Sequence, residues 1–270
     1  MAKFSSQKPI APLLFIGNYP IQETSSALFL NTKMDKRQLV IFEKNIAAIK
    51  TYYNEVLGIP YVEKNVFIEH QAVVKYEKGR SWAFATYPTI AFAGFELGSM
   101  VDEKKDQLKN PSDYPFIAHE LAHYYFGNLV QPNSKLLWFF LESTAEYLSF
   151  KASEAKIGQT FTTEYLQNAV KNLKNFKAKP LNLIEDVNTI NGTYRYSYGP
   201  LVLRGLEQII GEKRIFLFLK DCLSSKNEFT DYAFFKRHAL KSGITEQEWE
   251  TFEQDFIKTE NATAKIKLAN

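Results

Sequence analysis

At 270 residues, 45% hydrophobic and 15% aromatic, the chain can bury a sizeable core, which excludes a disordered or fibrous protein and suits one large domain or two closely packed lobes. A net charge of +3, from 33 basic and 30 acidic residues dispersed along the chain, argues against a nucleic-acid groove. Cys222 is the only cysteine, so no internal disulfide can form and any metal must be held by histidine and carboxylate groups.

The opening MAKFSSQKPIAPLLFIGNY has too short an apolar run for a signal peptide, and nothing later approaches ~18 uninterrupted apolar residues. As written, the chain is expected in the cytoplasm, with no membrane segment. PLLFIGNY and SALFLNT read as two strands, followed by a helix from Asp35, which can cap it, to Leu57, with Gly58 able to end it. NVFIEHQAVV and SWAFATYPTIAF flank the turn-like YEKGR, which predicts a hairpin or neighbouring strands, with Pro88 breaking the second or placing it at an edge. From Pro111 onward the pattern is helical, punctuated by Gly127, Pro132, Gly158, Pro180, Gly192, Gly211 and Gly243. The expected fold class is α+β, with a β-containing lobe over 1–110 and a helical lobe over 111–270 in a single 1–270 domain.

The chemistry gathers in HELAHYYFGN, residues 119–128. On a helix, positions i and i+4 share a face about 6 Å apart along the axis, so His119 and His123 can converge on one ion. Glu120 sits about 100° round the helix and can reach a water beside the metal without ligating it. Ser112 or Asp113 can cap this helix, and Gly127 can stop it. Zinc prefers four ligands and a catalytic site keeps one for water, so a third protein ligand is required. Downstream, LLWFFLESTAEYLSFKASEA is strongly helical and sets Glu142 and Glu146 in an apolar stretch, where a carboxylate needs a reason.

HELAHYYFGN, eighteen intervening residues and then LESTAEYL resemble the gluzincin metallopeptidases, most closely the aminopeptidase N and leukotriene hydrolase family. KPIAPLLFIGNY, YYNEVLGIPY and YSYGPLVLRGLEQIIG also look like segments of that family's catalytic domain. The resemblance implies a thermolysin-like zincin: a small mixed β lobe, a helical lobe and one Zn²⁺ per chain in the cleft between them. It implies His119, His123 and Glu142 as ligands, Glu120 as general base, and Tyr196 as transition-state tyrosine, with Tyr194 and Tyr198 its nearest rivals. Glu146, one turn after Glu142, is placed to accept a hydrogen bond from the far nitrogen of a ligand histidine; otherwise it reads as an outward-facing glutamate.

Two departures from the family bear on function. Its amine-anchoring Gly-x-Met-Glu-Asn segment is missing: the matching position falls near FATYP, which has no carboxylate, and Glu96 in AGFEL is the substitute considered for substrate binding. Leu141 stands where the family has Asn before the third ligand. The function implied is zinc-dependent peptide-bond hydrolysis on a peptide substrate, aminopeptidase-like, with an endopeptidase or a silent peptide-binding module as alternatives. His70, His238 and Cys222 read as structural residues.

Overall fold

The computed structural model describes residues 16–70, 82–94, 96–225, 228–260 and 262–267. A five-stranded mixed sheet occupies the first part, in the order β1-β2-β3-β5-β4. The strands are β1 (Ile21–Glu23), β2 (Ala27–Leu30), β3 (Asn65–His70), β4 (Trp82–Thr86) and β5 (Thr89–Ala93). The central β2, β3 and β5 run parallel, and β1 and β4 pair antiparallel at the two edges. β1 lies a few residues beyond the stretch PLLFIGNY; residues 12–15 of that stretch fall outside the described residues, as does YEKGR. SWAFATYPTIAF forms two strands: β4 and β5 turn tightly about Tyr87–Pro88, whose peptide bond is cis. The neighbour of β3 is therefore β5, in parallel, and the hairpin lies one strand later than YEKGR suggested.

Helix α1 (Lys36–Leu57) forms as its sequence dictates. The Asp35 carboxylate accepts from the Gln38 backbone while Gln38 reaches back to the Asp35 N–H, and Gly58 closes the helix at φ +60°, a left-handed turn that suits glycine. Leu39, Phe42, Ile46, Ile49, Tyr53 and Leu57, at spacings of three and four, make its buried stripe. Phe42 meets the stacked pair Phe29 and Phe67 edge-on, with centroids 5.9 and 5.7 Å away, so the helix packs on the sheet through aromatic contacts. Further along the same stripe Tyr53 donates to the Ala118 carbonyl at 2.8 Å, fixing α1 to the helix that carries HELAH.

A two-residue ladder, Val101–Asp102 with Gln107–Leu108, ends the β region. The helical part comprises α2 (Asp113–Ala122), α3 (Thr144–Ile157), α4 (Gln159–Asn172), α5 (Gly199–Ile210), α6 (Glu212–Ser224), α7 (Tyr232–Lys241) and α8 (Glu246–Phe252). Buried side chains from the sheet, α1 and these helices form one continuous core. Lys151 on α3 is buried with its ammonium among Glu154, Glu207 and Glu212; Glu207 and Glu212 lie at 2.9 Å, and Arg204 also pairs with Glu207. His238 bonds Asp221 at 2.6 Å and Ser225 at 3.2 Å, tying α7 to the end of α6. Cys222 is buried in α6, and His70 ends β3.

Candidate metal centre and cleft

Three elements bring the centre together. Helix α2 supplies His119 and Glu120 and ends one residue before His123, which keeps right-handed helical angles (φ −63°, ψ −12°) and so stays on the same face. Gly127 comes four residues later, at φ +135°, and a Cβ there would stand 3.0 Å from both the His123 carbonyl and the Leu141 side chain. Leu141, the departure from the family pattern, thus packs over the turn that follows the histidines. Ser112 sits at the N-terminus of α2 without a capping bond; Asp113 instead accepts from Asn110.

Glu142 lies in a single π-helical turn, Phe139–Ser143, that feeds into α3, and Tyr196 lies in a second, Tyr194–Tyr198, that feeds into α5. Such turns insert one extra residue into a helix and re-aim the side chains around it. The two turns touch closely: a Cβ on Gly199 would come within 2.0 Å of Ser143 Oγ, so only glycine lets the tyrosine segment approach the glutamate segment. Of the three tyrosines, Tyr194 and Tyr198 are buried in the core, and Tyr196, 46% exposed, turns into the cleft and donates to Glu142 Oε2 at 3.1 Å.

One donor atom from each of His119, His123 and Glu142 lies within 4.8 Å of the others. Glu142 Oε2 is 3.3 Å from His119 Nε2 and 3.7 Å from His123 Nε2. Ligands about 2.1 Å from a tetrahedral centre stand roughly 3.4 Å apart, so these separations fit a zinc-sized ion. The outer nitrogens are already engaged: His119 Nδ1 with Glu146 at 2.9 Å, and His123 Nδ1 with the Phe126 carbonyl at 3.2 Å. Those bonds orient both rings with Nε2 toward the common centre. Tyr165 of α4 donates to the other Glu146 oxygen at 3.1 Å. A second carboxylate trio, Glu154, Glu207 and Glu212, is comparably close, but the Lys151 ammonium already sits among it.

The electrostatics follow from burial. Burial disfavours a charged His119, yet the hydrogen bonds it donates to Glu142 and Glu146 outweigh that and lift the pKa to about 10. Burial and the neighbouring His119 charge lower His123 to about 4. Glu142, despite burial, is held at about 2 by His119 and His123. Burial raises Glu120 to about 7, and its Oε2 is buried without a hydrogen-bond partner. An orphaned carboxylate oxygen at this point is what a water or ion between the ligands and Glu120 would satisfy.

Two cavities flank the centre. One of about 660 Å³ lies toward the start of β4, and one of about 300 Å³ runs along Phe84, Ala85, Thr86 and Tyr87 to Leu141; both reach His119, Glu120 and Tyr196. The smaller is lined by Phe84 to Tyr87 of the FATYP stretch, and among the described residues its lining carboxylates are Glu120 and Glu142. Glu96 does not join the site. It is exposed, precedes a short 3₁₀ turn, and pairs with Lys33 at 2.6 Å. Neither cavity is lined by it. Sequence reasoning missed Tyr165, the Phe126 carbonyl, the two π-helical turns and the Gly199–Ser143 contact; only the glycine of YSYG hinted at the last.

A mixed sheet over helices, with HExxH and a downstream glutamate converging, defines an α+β protein of the zincin class. Residues 52–260 match the family model described as the peptidase family M1 domain, and the chain belongs to that family. Membership implies a zinc cofactor, which the donor set fits. The alanine/arginine aminopeptidase of Saccharomyces cerevisiae is 26% identical over 201 residues, 70% of this chain and 22% of that protein. Aminopeptidase 2, mitochondrial, from the same yeast is 24% identical over 190 residues, 66% of this chain and 19% of that one. Among solved structures, leukotriene A4 hydrolase from S. cerevisiae superposes with a TM-score of 0.67 at 17% identity, covering 90% of this chain and 39% of that one. The M1 zinc metallopeptidase from Deinococcus radiodurans gives 0.58 at 15%, covering 93% and 52%. This chain thus spans about a fifth of the length of the curated relatives it matches. No helix among the described residues is long and apolar enough to cross a membrane.

Proposed function

We propose that this chain is an aminopeptidase-like zinc hydrolase of peptide bonds, folded as a single catalytic domain, with His119, His123 and Glu142 holding one zinc ion. The observation that carries the reading is the convergence of those three donors beside a buried, unpartnered Glu120 oxygen. Bound zinc supplies Lewis acidity, which acidifies an attacking water and polarises a carbonyl.

The chain's own groups do the rest. Glu120, raised to about 7 by burial, has the basicity to take a proton from water near neutral pH and return it to the leaving amine. Tyr196, at the cleft surface with its hydroxyl on Glu142, can turn that donor to the oxyanion, a contribution of about 3 kcal/mol in comparable sites. Glu146 is a positioning residue that holds the His119 ring. As an edge strand, β4 can pair with an extended substrate, and antiparallel pairing, the more stable kind, would set the substrate's amino side along Thr86 and its leaving side toward Trp82.

The test is metal analysis and hydrolysis on the full chain. One zinc per chain is expected, with loss of at least ~100-fold in turnover for Glu120→Gln; zinc-free protein, or an undiminished variant, would end the proposal. A second reading, cleavage of internal bonds, draws on the smaller cavity, where among the described residues no carboxylate beyond Glu120 and Glu142 offers itself to an α-ammonium. Comparing one peptide with its N-acetylated form separates the two, since an exopeptidase loses the blocked substrate.

A further inference from the structure

The far wall of the larger cavity takes no part in the chemistry above, yet it is organised. Helix α4 turns Glu164, Asn168 and Asn172 into it, positions four apart and so aligned along one helix face. Trp82 and Phe116 line the cavity as well, and Phe161 and Tyr165 flank Glu164 on its own helix. Among the described residues no lysine or arginine lines this cavity, and the carboxylates that do are Glu120, Glu146 and Glu164. Glu146 is committed to His119 and Tyr165. Glu164 is exposed and, among the described residues, makes no hydrogen bond or ion pair.

We propose that this groove receives the residues following the scissile bond and that Glu164, set among aromatic walls, selects lysine or arginine side chains there. The inference rests on the peptidase reading and on the antiparallel placement along β4. A guanidinium or ammonium lying over aromatic faces gains from the ring quadrupole, and the carboxylate at the rim adds charge complementarity. The Asn168 and Asn172 amides can both donate and accept, which suits an extended backbone passing along α4.

The experiment uses the zinc-loaded full chain and two peptides that differ only after the cleaved bond, one carrying two lysines and the other two norleucines. Wild type should prefer the lysine peptide in kcat/KM by about fivefold at low salt, with the preference shrinking as salt rises. Glu164→Gln should bring the ratio to about one, mainly through loss of the lysine-peptide advantage, and Glu164→Lys should reverse it. A wild-type ratio near one, or a lysine preference that survives Glu164→Gln, overturns the assignment. If neither peptide is cleaved, the peptidase reading fails by itself. The groove is then judged by fluorescence anisotropy of product-like peptides starting with the same residues: tighter lysine binding by wild type but not by Glu164→Gln upholds it, and equal binding by wild type overturns it.

Discussion

Replacing Glu120 with glutamine should stabilise the metal-free protein while removing its activity, and the gain should depend on pH in a defined direction. Glu120 is 6% exposed, and burial lifts its pKa from an ordinary 4.5 to about 7. Below pH 4.5 the carboxyl is protonated in folded and unfolded chains alike, and the burial cost is absent. Between 4.5 and 7 the folded state binds more protons than the unfolded one, so stability falls as pH rises, and above 7 the full cost is present. At about 1.4 kcal/mol per pH unit, the charge costs about 1 kcal/mol at pH 5 and roughly 3 kcal/mol at pH 8. Glutamine keeps the shape and leaves its own amide unsatisfied, but that penalty, about 1 kcal/mol, is the same at both pH values. Urea titrations of both proteins in chelator should therefore show a variant advantage that grows by about 2 kcal/mol from pH 5 to pH 8. Adding saturating zinc should shrink it, because a nearby dication makes the carboxylate favourable. An advantage that is flat with pH would refute the account of Glu120 as a charge held at a desolvation cost.

Four further outcomes follow from the geometry. Zinc uptake at pH 8 should release about one proton per ion, since His119 is protonated up to about 10 in the metal-free form; calorimetry in two buffers of different ionisation enthalpy measures it, and no release would contradict the His119 assignment. Glu146→Gln should weaken zinc affinity by about 10- to 100-fold in competition with a chromophoric chelator, because the His119 ring loses its charged partner. Gly199→Ala forces a carbon within 2.0 Å of Ser143 Oγ, so turnover should fall together with a loss of stability of about 1 to 3 kcal/mol. Lys151→Met leaves Glu207 buried with Arg204 as its remaining cation, and denaturant unfolding should show a loss of about 3 kcal/mol.

The parts of the fold that sequence expresses through periodicity and caps were legible. Asp35, Gly58 and the stripe from Leu39 to Leu57 mark α1 to the residue, because local hydrogen bonds and backbone angles decide both its ends. The β region was read less well, since pairing is a long-range property: nothing in SWAFATYPTIAF states that β5 inserts between β3 and β4. At the site, His119, His123 and Glu142 are evident from spacing and resemblance, and the structure brings their donor atoms together. Glu96 was drawn toward the site by nearness in sequence alone, but Lys33 holds it at the surface. The π-helical turns were invisible because one inserted residue leaves the hydrophobic pattern almost unchanged, though it decides where Glu142 and Tyr196 point.

The position of β4 carries one more consequence. An apolar strand at a sheet edge, bearing a partly exposed Trp82, invites pairing with a strand of another molecule and is a common start of aggregation. Here that edge lies along cavities walled by α2 and α4, so a lone extended chain fits where a second folded sheet does not. The helices that shape the cleft therefore also act as a guard against self-association. Widening the gap by truncating Phe161 or Tyr165 should show up first as loss of solubility during expression, before any change in how the remaining folded molecules behave.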